Sequence, residues 1–179
     1  MKINRLYPGS IVKSVTKVVM IARPQIAAWE QGDSGGFVVI DGASGSELRR
    51  IKVGKGAHNS IISLDGKRLY LGTTTTLTVF DPADEHVIKT IPDVGESGVF
   101  PYTIDRAQRY AFVCLGKHVG FDVVDLAAGR PIHRVMAGGG TPIEHRTHGA
   151  ALTPDESELW ISDQAGKKLF IRSEEHTSE

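Results

Sequence analysis

His58-Asn59-Ser60-Ile61-Ile62-Ser63-Leu64-Asp65-Gly66-Lys67-Arg68-Leu69-Tyr70-Leu71 is the stretch on which the fold turns. Two runs of aliphatic and aromatic residues flank Asp65-Gly66-Lys67, which specifies a tight turn between two short strands. Aspartate suits such a turn because its carboxylate bonds nearby backbone amides, and glycine tolerates positive φ. Downstream, Leu77 to Asp81 supplies a third strand, and Pro82-Ala83-Asp84 turns the chain into a fourth at about Val87 to Ile91. Short strands rich in Val, Ile, Thr, Tyr and Phe, with turn signals at this spacing, predict an all-β fold.

The unit recurs. Phe37-Val38-Val39-Ile40-Asp41, Leu77-Thr78-Val79-Phe80-Asp81 and Phe121-Asp122-Val123-Val124-Asp125 share one form, with closing aspartates 40 and then 44 residues apart. A second series interleaves with it at Asp65, Asp105 and Asp155, spaced 40 and 50 residues. One four-stranded sheet of this length cannot cover both its faces, and radial stacking around a channel solves that problem. The alternative is a small complete β-sandwich.

His58 to Leu71 with Val79 to Asp81, and His148 to Asp163, resemble the YVTN-repeat (YncE-like) family, whose units read like HGVAVSPDGKRLYVTN followed by VSVID. The middle copy, Gly98 to Leu115, lacks both the histidine and the turn glycine. The resemblance implies a partial β-propeller of about three and a half four-stranded antiparallel blades. Residues 1–15 are a poorly defined N-terminal segment, and 16–171 hold the blades. These are strands B to D of a first blade (about 16–55), full blades at 56–96 and 97–140, and strands A to C of a fourth. Family rings close at seven blades, so about half a ring is expected to lie outside this stretch. Arg172 to Glu179 matches, at all eight residues, the in-frame translation of a common sequencing-library adapter, and 172–179 is therefore expected to be an artefactual tail.

Composition removes several function classes. Lys plus Arg and Asp plus Glu both total 21, and the basic residues are scattered, so nothing attracts nucleic acid. No run approaches the roughly 18 consecutive apolar residues of a membrane helix. No signal peptide is visible, because Lys13 and Lys17 interrupt the N-terminal apolar segments. The family resemblance nonetheless implies an extracytoplasmic, periplasmic setting. The single cysteine, Cys114, lies in an apolar run and is expected to be a buried, inert thiol.

Gly32-Asp33-Ser34-Gly35-Gly36 matches the nucleophile segment of trypsin-like proteases and the G-x-S-x-G elbow. No histidine precedes His58, and Phe37 to Asp41 continues as a strand where an elbow needs a helix. A glycine-rich hairpin accounts for the string. Gly138-Gly139-Gly140 has no strand–loop–helix context and is not a phosphate loop. Trp29 and Trp160 read as packing residues.

The histidines are stronger candidates. His58 and His148 each lie seven residues before a turn aspartate, the same place in two blades, at the start of strand A beside the channel mouth. Asn59 follows His58; the third copy has Gly98 at the corresponding place, and repeat alignment puts Tyr102 and Pro101, near the start of its strand A, along the channel. A longer connection, Ala137 to Thr147, carries Glu144, His145 and Arg146 to the same end. His145 and His148 form a weak candidate metal pair for zinc, copper or iron. Arg146 could instead pair with a substrate carboxylate.

Two functions follow. The first is a binding or scaffold module that holds a small molecule or protein at the channel mouth and the 137–147 loop. The second, implied by the resemblance, is a lactonase-like hydrolase or a cofactor- or metal-dependent oxidoreductase. The sequence requires no cofactor, and metal, haem or quinone are the groups such rings carry.

Overall fold

The computed structural model describes residues 18–20, 25–31, 34–74, 76–96, 99, 101–138, 147–163 and 165–173, with backbone alone for 18–31 and 34. These residues form strands and turns with no helix, so no helix is long and apolar enough to cross a membrane. Four antiparallel sheets follow one another in chain order. The first holds β1 (Val18–Met20), β2 (Gln25–Gln31), β3 (Ser34–Ile40) and β4 (Glu47–Lys52). The second holds β5 (Asn59–Ile62), β6 (Leu69–Gly72), β7 (Thr76–Phe80) and β8 (Val87–Pro92). The third holds β9 (Tyr102–Ile104), β10 (Tyr110–Cys114), β11 (Gly120–Asp125) and β12 (Arg130–Met136). The fourth has β13 (Thr147–Leu152), β14 (Glu158–Asp163) and β15 (Lys168–Ser173). Each sheet is a simple meander, and the architecture is a partial β-propeller. The first sheet has one strand more than the sequence indicated, because the short run Val18–Met20 pairs with β2 at Ala27, Ile26 and Gln25.

The repeat aspartates close the turns between third and fourth strands by one device. Asp41, Asp81 and Asp125 each accept a backbone N–H at Oδ1, from Ser44 at 2.7 Å, Ala83 at 2.8 Å and Ala128 at 2.8 Å. The residue four positions on donates to the aspartate carbonyl and holds positive φ: Gly45, Glu85 and Gly129. An Asp side chain that mimics a backbone acceptor favours this turn over continued strand.

The turns between first and second strands hold a correction. In the second sheet Ser63 N bonds Arg68 O, the Ser63 hydroxyl donates to Asp65, and Gly66 takes φ 71°. Thr153, Asp155 and Glu156 repeat this arrangement in the fourth sheet. In the third sheet it is Asp105 that bonds Tyr110 O and caps Arg109 and Tyr110, with Gln108 at φ 56°. Asp105 therefore occupies the position of Ser63 and Thr153, two residues from where the aspartate alignment put it. A carboxylate and a hydroxyl both accept the same amides there, so the two solutions are interchangeable.

Three apolar seams join the sheets. Phe37, Val39 and Ile51 meet Leu69, Leu71 and Phe80 between the first and second. Tyr70, Leu77 and Val79 meet Tyr102, Val113 and Val124 between the second and third. Phe112, Phe121 and Val123 meet Ala150, Leu159 and Ile161 between the third and fourth. Because side chains alternate along a strand, the second and third sheets each feed a seam from both faces. The innermost strands approach one another, β5 beside β1 and β2, β13 beside β9 and β10. Their starts converge at one end of the molecule.

Glycine is required where outer strands crowd the third strand. A Cβ at Gly36 would lie 2.0 Å from Ile51 O, and at Gly120 2.2 Å from Val135 O. Ser34–Ile40 pairs continuously with Gln25–Gln31. Ser34 thus opens a strand and does not sit on an elbow before a helix.

Candidate functional site

The end where β5, β9 and β13 begin is built from the links between sheets and the turns between second and third strands. His58 N donates to Gly72 O at 2.9 Å, which fixes His58 just ahead of β5. Thr147 is fixed at the head of β13 by its hydroxyl, which donates to His118 O at 3.1 Å and accepts from Gly120 N at 3.2 Å. These anchors bring the rings of His58 and His148 within 6.4 Å of each other, crossed at 78°. The two residues belong to sheets separated by the whole third sheet. His58 is half-buried and His148 exposed.

The corrected turn register keeps His58 and His148 equivalent, each five residues before the hydroxyl that opens the turn. It moves the third copy's counterpart from Gly98 to Phe100, a residue outside the described set. Beyond His58, the Asn59 Nδ2 and Ser60 Oγ atoms are buried and meet no hydrogen-bond partner among the described residues. Asn59 is 4% exposed and Ser60 1%. Buried donors of this kind ordinarily find partners, so their place beside the histidine pair marks the mouth as polar ground.

Tyr102 has a different place. It is buried in the seam between second and third sheets, its hydroxyl donating to Tyr70 O at 2.8 Å, and burial raises its phenol well above the usual range. It ties two blades together and is closed to solvent. Glu144, His145 and Arg146 lie outside the described residues, and so does the candidate metal pairing of His145 with His148. Cys114 is fully buried, and burial pushes its thiol up to about 12. Ser34 has no described side chain.

A second polar cluster at the same end escaped the sequence reading. Asp122, almost fully buried on β11, takes Arg134 in two hydrogen bonds of 2.7 and 2.9 Å and accepts Gly95 N at 2.9 Å. This pairing raises the Arg134 pKa. Glu96 stands beside it at φ 67° and lies 2.7 Å from His118 Nδ1, 3.0 Å from Lys117 N and 3.4 Å from Arg134 Nη1. Opposite a carboxylate that only accepts, a neutral His118 would donate from Nδ1 and leave Nε2 as an acceptor. The signal in sequence was faint: Asp122 is one charge inside an apolar strand, and its partner lies 12 positions on.

Grooves flank the seams among the described residues. One of about 560 Å³ opens between first and second sheets and is lined by Lys52, Lys55, Thr73, Thr74 and Thr76. Another, about 370 Å³, lies at the opposite end beside Asp65, Lys67, Arg68 and Gln108. Neither includes the histidine pair. Asp81, Asp84 and His86 gather on an exposed turn, where Asp81 caps the backbone and the His86 hydrogen bond holds the Asp84 carboxyl below its usual range.

No protein-family model matches the chain, and no curated protein matches its sequence. Among solved structures, Kuenenia stuttgartiensis hydrazine synthase is similar at a TM-score of 0.71 and 18% identity, over 93% of this chain and 49% of that one. At that identity the likeness establishes the propeller fold and nothing finer. The chain spans about half the length of this solved relative. Matching solved chains number 419, so the architecture is widely used, and function has to be argued from the site.

Proposed function

We propose that this chain is a propeller binding module of the YVTN (YncE-like) type, which holds a small molecule or a partner's side chain at the channel mouth. The observation that carries this is the meeting of His58 and His148, 6.4 Å apart, from two sheets that do not touch in sequence order. Blade packing alone does not demand it, since the third copy has Phe100 at the equivalent position. Two imidazoles and the buried Asn59 amide offer both donor and acceptor capacity to a ligand. Thr147, at the end of the 137–147 connection, stands at the same end.

A thermal-shift screen of polar metabolites tests this, because a ligand that binds only the folded state raises its stability. At least one stabiliser should lose its effect in the His58→Ala/His148→Ala variant. If every stabiliser acts equally on that variant, the mouth is not the binding site.

A hydrolase is the second reading, and the Glu96–His118 pair supports it. A carboxylate that fixes the imidazole tautomer leaves Nε2 as a general base. Lactone substrates offered to the chain should then turn over with a pH profile that His118→Gln abolishes.

A further inference from the structure

We propose that His58 and His148 together bind one borderline transition-metal ion, such as Zn²⁺ or Cu²⁺, across the channel mouth. This inference rests on the mouth being the binding site argued above. Neutral imidazole suits these ions, and each ring can contribute a nitrogen without deprotonation. With metal–nitrogen bonds of about 2.0–2.1 Å and the ring centre about 1.1 Å further, a shared ion needs centroids about 5 Å apart at a tetrahedral angle and about 6.3 Å apart at a linear one. The observed separation is 6.4 Å. The rings are crossed and not stacked, and His148 is exposed, so its side chain has room to turn toward a shared ion.

The backbone on both sides is already fixed, which lowers the ordering cost of binding. His58 is pinned through its N–H to Gly72 O, and His148 follows the doubly bonded Thr147. With two protein ligands, the remaining coordination positions fall to water or to an incoming ligand. The rival cluster, Asp81, Asp84 and His86, differs in kind. Its groups shape an exposed turn: Asp81 Oδ1 accepts Ala83 N, and Asp84 Oδ1 accepts His86 N and lies 2.6 Å from His86 Nδ1.

Isothermal titration of the EDTA-stripped full chain with ZnCl₂ alone, and separately with CuCl₂, tests the proposal. One ion per chain is expected, with affinity falling at least about tenfold in His58→Ala and in His148→Ala, and unchanged in His86→Ala. Electron paramagnetic resonance of the one-to-one Cu²⁺ form should show coupling to two imidazole nitrogens, and to one in His148→Ala. His148 is exposed, so that variant is expected to keep the parent fold, and a circular dichroism spectrum checks it. Absence of saturable binding, or binding lost in His86→Ala and kept in the other two, overturns the proposal. If metal binding fails while a metabolite stabiliser still depends on His58 and His148, the mouth remains a ligand site and only the metal assignment falls.

Discussion

Asp122 on β11 and Arg134 on β12 face each other in register and join through two hydrogen bonds of 2.7 and 2.9 Å. The second sheet has Thr78 opposite Thr90 at the same register. The fold thus accommodates either a charged or a hydroxyl pair there, and the two can be exchanged. Arg134→Thr strands a buried carboxylate and should cost about 2–3 kcal/mol, somewhat below a fully buried pair because Arg134 is nearly half exposed. Asp122→Thr/Arg134→Thr should cost less than Arg134→Thr alone. Urea denaturation of Asp122→Thr, Arg134→Thr and the double variant measures the coupling. Losses that simply add would show that the pair acts independently.

Gly120→Ala should destabilise the third sheet by about 1–3 kcal/mol, because the new Cβ would lie 2.2 Å from Val135 O and force β11 and β12 apart. Thr76, which pairs with Pro92 where Gly120 pairs with Met136, already carries a side chain, so Thr76→Ala should be milder. Thermal melts of both variants make the comparison.

Cys114 should resist thiol reagents in the folded chain. Burial raises its pKa to about 12, so at pH 8 the thiolate fraction is negligible, whereas an exposed cysteine titrates near 8.5. Labelling with iodoacetamide at pH 8 should be slow in buffer and fast in guanidinium. Rapid labelling in buffer would place Cys114 outside the core.

The outward face of the fourth sheet should drive self-association. Trp160 and Ile171 pair across β14 and β15, Leu169 lies on the same face, and the three are 40%, 51% and 64% exposed. By register they correspond to Tyr70, Val79 and Leu77, which fill the seam between second and third sheets. Exposed apolar side chains gathered on one face form an association surface. Leu169→Thr/Ile171→Thr should lower the sedimentation coefficient at high concentration toward the monomer value, with little change in melting temperature. An unchanged concentration dependence would show that this face is inert.

Much of the fold was legible because its signals are local. Asp81 and Asp125 cap their own turns within three residues, and the strands around Asp65-Gly66 lie within a few positions of it. The turn at Asp105 was misaligned by two residues because aspartate there performs the task that Ser63 and Thr153 perform elsewhere, and residue identity alone hides that exchange. The site was less legible. His58 and His148 could be placed at equivalent positions, but their meeting depends on how sheets turn about the channel. Tyr102 shares the innermost strands with them yet faces a seam, a matter of strand parity at the link before β9. Glu96, His118 and Arg134 come from three separate segments and carry no common spacing.

The sheets stack radially, so that His58, ahead of the second sheet's first strand, and His148, in the fourth's, come together at one end. Intramolecular cross-linking of a His58→Cys/His148→Cys variant, built on Cys114→Ser, tests it with a short thiol-to-thiol reagent. A His86→Cys/His148→Cys variant serves as the control, because residue 86 lies on a turn at the opposite end. Radial stacking predicts efficient closure for the first pair, seen as a shift in non-reducing gel mobility, and none for the control. Failure of the 58–148 pair to close, or equal closure of both, would contradict the arrangement.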